Sequence, residues 1–127
     1  MTLDSSALIA ILFAEPRYLD IVDSILQADH VRVGAPTLVE TSLVFAGRGG
    51  KAAAEVEGLV KELGITVVPF GEAEWRRAAE AFLKFGRGRH KAALNFGDCL
   101  AYASASVAGD TLLFVGNDFK KTDITPA

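Results

Sequence analysis

Four short strand-like segments, Met1–Leu3, His30–Val33, Ile65–Val68 and Thr111–Val115, are separated by segments with helical periodicity, and this alternation constrains the chain more than any other feature. Strands separated by helix-length segments are joined by crossovers, which are right-handed and give a parallel sheet with helices packed on its faces. The runs are short and bounded by turn residues, as buried strands are.

The intervening segments have their own signals. After Asp4, Leu8, Ile11 and Leu12 recur at helical spacing, and Pro16 is expected to open a second helix with Tyr18, Ile21, Val22 and Ile25 on one face. Pro36 heads a third helix, Thr37–Ala46, which Gly47, Gly49 and Gly50 stop. Lys51–Leu63 places Val56, Leu59, Val60 and Leu63 on one stripe, with Glu57 and Lys61 paired outside and Gly64 as the stop. Glu72–Phe85 carries Trp75, Ala78, Ala79 and Phe82 on one stripe, and Asn95–Val107 is a helix of small residues. Trp75 and Cys99 read as core residues, and Ile124 as part of a last edge strand. The expected fold is a three-layer α/β domain, its mostly parallel central sheet flanked by helices, with residues 1–127 forming one domain.

Composition excludes several classes of function. Half of the 127 residues are apolar and 23% are charged, too apolar a mixture for a disordered chain. With 13 basic and 16 acidic residues the net charge is −3, so no bulk positive field attracts nucleic acid or membrane. One cysteine, Cys99, makes neither an internal disulfide nor a thiolate metal cage. The early apolar run Ala7–Ala14 is too short to span a bilayer and lacks a preceding basic region, so a cytoplasmic protein without a membrane segment is expected.

In an open parallel sheet, ligands bind beyond the carboxyl ends of the strands. Asp4 and Asp118 both follow apolar runs immediately. Glu40 has Leu43, Val44 and Gly47 at its helical neighbours, which reads as an inward stripe where a carboxylate needs a partner. Asn95 and Asp98 share a face at a helix start, together with Tyr102. Each acid also has a structural role open to it: Asp4 as a helix cap, Asp98 serving a helix dipole, Asp118 and Asp123 in turns, and Glu40 in a buried ion pair. Between Arg76 and Lys91, six cations (Arg76, Arg77, Lys84, Arg87, Arg89, Lys91) stand against Glu80 alone, a local charge of +5 in an acidic protein. Gly86 and Gly88 give that stretch a mobile loop.

The segments Asp4-Ser5-Ser6-Ala7, Pro36-Thr37-Leu38-Val39-Glu40, Asn95-Phe96-Gly97-Asp98-Cys99-Leu100-Ala101-Tyr102-Ala103 and Gly116-Asn117-Asp118-Phe119, in this order along nearly the whole chain, resemble PIN-domain ribonucleases of the VapC toxin type. The resemblance implies an acidic cluster of Asp4, Glu40, Asp98 and Asp118, supported by Ser6, Asn95 and Asn117; some relatives carry a further acid where Asn117 stands. An all-oxygen set without histidine or thiolate selects a hard cation, Mg2+ or Mn2+. The implied activity is hydrolysis of RNA by metal-activated water, leaving a 5′-phosphate and a 3′-hydroxyl. Lys84, Arg87, Arg89 and Lys91 are the expected RNA contacts. The implied partners are a cognate antitoxin in the acidic groove and a second copy of the chain. A phosphoacceptor receiver module, the runner-up, lacks its lysine near the last strands and the second acid at the start. A silent binding module would have lost an acid, and none is lost.

Overall fold

The computed structural model describes all residues, 1–127. Four strands, β1 (Thr2–Leu3), β2 (Arg32–Gly34), β3 (Thr66–Val68) and β4 (Leu112–Leu113), form one sheet in the order β3-β2-β1-β4, and every pairing is parallel. Six helices connect them: α1 (Ser5–Leu12), α2 (Tyr18–Leu26), α3 (Ala35–Gly47), α4 (Ala53–Glu62), α5 (Glu72–Phe85) and α6 (Phe96–Ala108). A single 3-10 turn, Phe119–Lys121, follows β4.

Successive strand residues point to opposite faces, so Leu112 and Leu113 serve two different cores. Leu112 packs with Ala81, Phe85, Leu94, Ala101 and Tyr102 beneath α5 and α6. Leu113 packs with Leu3, Leu8, Ile25, Val33 and Ile65 beneath α1 and α2. This is the expected three-layer arrangement, and its sheet is wholly rather than mostly parallel. The close approach of α6 to β2 depends on small residues: Ala101 and Ala105 are fully buried, and a Cβ on Gly34 would meet the Ser104 hydroxyl at 2.6 Å.

Several local expectations differ. Pro16 lies two residues before α2, whose N-cap Arg17 takes a left-handed φ of 67°. The Ile124 segment forms no strand; Pro126 makes only an isolated parallel bridge to Leu112, because Ile124 itself turns inward against the α5–α6 core. Trp75 is 59% exposed and belongs to no core cluster, since its stripe on α5 faces an open groove. Cys99 is buried as expected.

Two polar clamps tie the sheet and its ends. Asp110, just before β4, accepts from Nη1 of Arg32 at 2.8 and 2.9 Å and from the Thr2 hydroxyl at 2.8 Å, joining the starts of β1, β2 and β4. Asp123 accepts from the Tyr102 hydroxyl at 2.6 Å and from Lys84 at 3.2 Å, tying the C-terminal segment to α6 and α5. Asp123 thus bridges elements rather than capping a turn.

Asp110→Ala is expected to destabilise the protein by about 2 kcal/mol in urea unfolding, because it strands a partly buried guanidinium and hydroxyl. Tyr102→Phe should cost about 1 kcal/mol. The Tyr102 bond holds the Asp123 carboxyl below its ordinary value. The contribution of the pair is therefore complete above the usual carboxylate pKa and lost as pH falls through the lower folded value. Stability curves of wild type and Tyr102→Phe should converge only in that acid range.

Candidate functional site

The strand order reverses between β1 and β4, and the crevice beyond their carboxyl ends collects the acids. Asp4 leaves β1 and caps α1: its Oδ2 accepts from the Ser6 amide at 3.0 Å and from the Ser6 hydroxyl at 2.5 Å. The same hydroxyl accepts from the Val115 amide at 2.9 Å, so Ser6 spans the switch point and fixes the Asp4 carboxylate against the chain leaving β4. The other oxygen, Oδ1, is buried and has no hydrogen-bond partner.

Asp98 and Asn95 form a capping box at the start of α6, each side chain accepting from the other's amide at 2.9 Å. One Asp98 oxygen is thereby fixed to the backbone, and capping and site placement are the same act. Burial, opposed by the Asn95 amide bond, raises the Asp98 carboxyl to about 6, with the charges of Asp4, Asp118 and Glu40 adding to the rise. Asp4 is also pushed up, chiefly by burial and further by Glu40, against the bonds from Ser6.

Glu40 sits in α3. The Ser5 hydroxyl donates to its Oε1 at 2.5 Å, and its Oε2 lies where a Cβ on Gly97 would stand. The stripe beside it, read as inward, instead faces an open groove: Leu43 is 68% exposed and Val44 is partly exposed. Periodicity shows that a stripe is apolar, not that anything covers it. This groove, of about 1010 Å3, is walled by Val39 and Leu43 of α3, Trp75 and Phe82 of α5, and Phe96, and it reaches Glu40.

Asp118 is exposed at the start of the 3-10 turn, with no bond to its side chain, and Asn117 is exposed beside it. The fold thus brings Asp4, Glu40, Asp98 and Asp118 within electrostatic reach of one another. They stand apart, since no three side chains of ligating type gather tightly enough to hold an ion directly. A hard cation that keeps several waters and takes one or two carboxylates directly suits such a spread set, and the unpartnered Asp4 Oδ1 is an oxygen free to meet it.

Sequence reasoning missed Ser5 and Gly97. A glycine in the first turn of a helix costs up to about 1 kcal/mol against alanine and signals close approach, which is what Glu40 makes. Of the expected RNA contacts, Lys84 is paired with Asp123, whereas Arg87, Arg89 and Lys91 are exposed and unpaired. Gly86 serves close packing rather than motion, because a Cβ there would strike the Phe82 ring and carbonyl. The loop is stitched by Arg87 and Leu94 amide bonds across its neck and by the Ala92 amide donating to His90 Nδ1 at 3.0 Å.

The PIN domain family model matches residues 1–124. Ribonuclease VapC36 of Mycobacterium tuberculosis is 40% identical over 126 residues, covering 98% of this chain and 91% of that protein. Ribonuclease VapC of Mycolicibacterium smegmatis is 35% identical over 126 residues, covering 98% and 97%. Among solved structures, Mycobacterium tuberculosis VapC20, described as a sarcin-ricin loop cleaving toxin, superimposes with a TM-score of 0.80 at 16% identity, covering 99% of this chain and 97% of that one. A toxin–antitoxin complex from Klebsiella pneumoniae gives 0.74 at 12% identity, with 99% and 97% covered. The chain belongs to the PIN-domain family, and within it to the VapC ribonucleases that match its full length.

In the metal-free protein, carboxyl NMR should find Asp98 titrating near 6. Glu40→Gln should lower that value only partly, since burial outweighs the neighbouring charge. An unmoved Asp98 would place Glu40 outside the cluster.

Proposed function

We propose that the protein is the ribonuclease toxin of a type II toxin–antitoxin pair: one PIN domain, acting in the cytoplasm, that cleaves RNA internally with Mg2+ or Mn2+. The observation that carries the metal is the buried, unpartnered Asp4 Oδ1 in a set of acids, Asp4, Asp98, Glu40 and Asp118, that lie within electrostatic reach of one another. Two unit charges ~4 Å apart repel by about 4 kcal/mol at an effective dielectric of 20, so a cation is the natural completion of the set. No helix is long and apolar enough to cross a membrane.

Asp4, Asp98 and Asp118 would hold the ion, with Glu40 on it or on its waters. When bound, the ion offsets charge building at phosphorus and lowers the pKa of an attacking water. Ser6 fixes Asp4 and Asn95 fixes Asp98 through one oxygen each, which leaves the second oxygen of each carboxylate for the ion. Ser5 orients Glu40 through Oε1 and Gly97 leaves room for Oε2, which sets Glu40 to order or deprotonate a water near the phosphodiester. Asn117, neutral and exposed beside Asp118, adds an oxygen without charge. Cys99 is no nucleophile, because burial and the Asp98 charge push its thiol up to about 11. Hydrolysis by water needs no 2′-hydroxyl and leaves a 5′-phosphate.

The partners follow from the surfaces. An antitoxin covering the acidic crevice must bring positive charge to it, and an antitoxin is supported by the resemblance to a toxin–antitoxin complex. The apolar faces of α3 and α5 suit a second copy of the chain.

Asp98→Asn should keep the fold but lose Mn2+ binding by calorimetry, together with metal-dependent cleavage of total cellular RNA. Gly97→Ala, which removes no acid, should also cut cleavage by about 100-fold by displacing Glu40. Intact binding and cleavage in Asp98→Asn would remove the metal assignment.

A further inference from the structure

The chain has 13 lysines and arginines. Seven of them, Arg17, Arg32, Arg48, Lys61, Arg76, Arg77 and Lys84, are held in ion pairs with carboxylates. Of the six without such a partner, only Lys51 lies elsewhere: Arg87, Arg89 and Lys91 occupy one loop, and Lys120 and Lys121 the turn after Asp118. Lys51 apart, the free positive charge of an acidic protein is thus confined to two segments.

Those segments touch. Nζ of Lys121 donates to the Lys91 carbonyl at 3.5 Å, bringing the turn against the loop. Each also adjoins a site acid in the chain. Lys120 and Lys121 follow Asp118 by two and three residues, about one turn of 3-10 helix. The loop closes at a bridge between Gly86 and Leu94, so Lys91 and Leu94 lead directly into Asn95 and Asp98. The loop backbone is stitched in place, and the Arg89 guanidinium rests 5.7 Å from the centre of the Phe82 ring.

We infer that Lys120 and Lys121, with Arg87, Arg89 and Lys91, form one continuous phosphate-binding rim that receives the single-stranded RNA flanking the scissile bond on the Asp118 side of the crevice. The assignment rests on the ribonuclease proposed above. It adds Lys120 and Lys121 to the substrate contacts and removes Lys84, whose charge Asp123 already holds. The rim binds backbone rather than bases, because lysine and arginine head groups on an open surface meet phosphates and carry no sequence code. Free cations beside an acid cluster would collapse into pairs with it if side chains alone decided; none does, which leaves them for an external anion.

The test measures binding separately from cleavage. A labelled, unstructured single-stranded RNA of roughly a dozen nucleotides is titrated in EDTA, with affinity followed against salt. Lys120→Gln with Lys121→Gln should weaken binding about tenfold at low salt and reduce the slope of log affinity against log salt by about 1.4. Arg87→Gln with Arg89→Gln should act alike, whereas Arg76→Gln with Arg77→Gln, equal in charge removed, should leave affinity unchanged. Melting temperatures confirm that the variants fold. An unchanged slope in the Lys120, Lys121 variant overturns the rim, as does an equal loss in the Arg76, Arg77 control. Wild type that cleaves RNA with Mn2+ yet binds none in EDTA overturns the rim and spares the nuclease. Absence of both overturns both.

Discussion

Four carboxylates that repel one another are held at the carboxyl ends of a parallel sheet, and much of the molecule is arranged to keep them there. Two of them sit in the first turn or cap of a helix, where the macrodipole and free amides favour negative charge: Asp4 on α1 and Asp98 on α6. Hydroxyls do the rest, Ser6 for Asp4 and Ser5 for Glu40. These devices fix positions without cancelling the charge; the upward shifts of Asp4 and Asp98 come chiefly from burial, with the neighbouring carboxylates adding to them. On the proposed function, a folded protein with its acids so placed would be pre-organised for a cation: the cost of assembling the set is met by the two cores on either side of the sheet.

That assembly depends on how near α6 comes to its neighbours. Gly34 admits the Ser104 side chain and Gly97 admits the Glu40 carboxylate, so two missing Cβ atoms set the position of α6 against β2 and α3. The stripe of alanines along α6 has the same effect against the sheet. A helix of leucines would bury more apolar area and place Asp98 too far from Asp4. Stability is given up here for proximity, which is the usual relation between a site and the elements that carry it.

The fold class was legible because alternation of strand and helix leaves few topologies, and strand ends, where such sheets bind ligands, pointed to Asp4 and Asp118, whereas Glu40 and Asp98 stood out by their place on helices. What periodicity could not show was what lies against a stripe. The apolar neighbours of Glu40 and Trp75 repeat at helical spacing as core residues do, yet they line an open groove, since pattern records the face of a helix and not its cover. Strand ends were overextended for a related reason: Phe114 and Val115 continue the apolar run of β4 but have no strand beside them. Asp123 was indistinguishable from a turn aspartate, because its partners Tyr102 and Lys84 lie 21 and 39 residues away.

The same limit applies to charge. A local count gives the helix α5 and the following loop one basic character, but the four-residue spacing of Glu72 and Arg76 and the three-residue spacing of Arg77 and Glu80 neutralise the helix on its own surface. What survives is the loop, joined in space by two lysines distant in sequence. A net charge of −3 is therefore a poor guide to how this chain meets a polyanion. Potential at a crevice is set by which charges lack partners and where they stand, and here the unpartnered anions and the unpartnered cations lie side by side. Such a surface repels a phosphate chain at its centre unless a metal ion is bound, and attracts it at its edge in either state. On the function and rim proposed above, RNA arriving at the edge before an ion completes the centre would be held close without being committed to cleavage, which would separate binding from chemistry within one small domain.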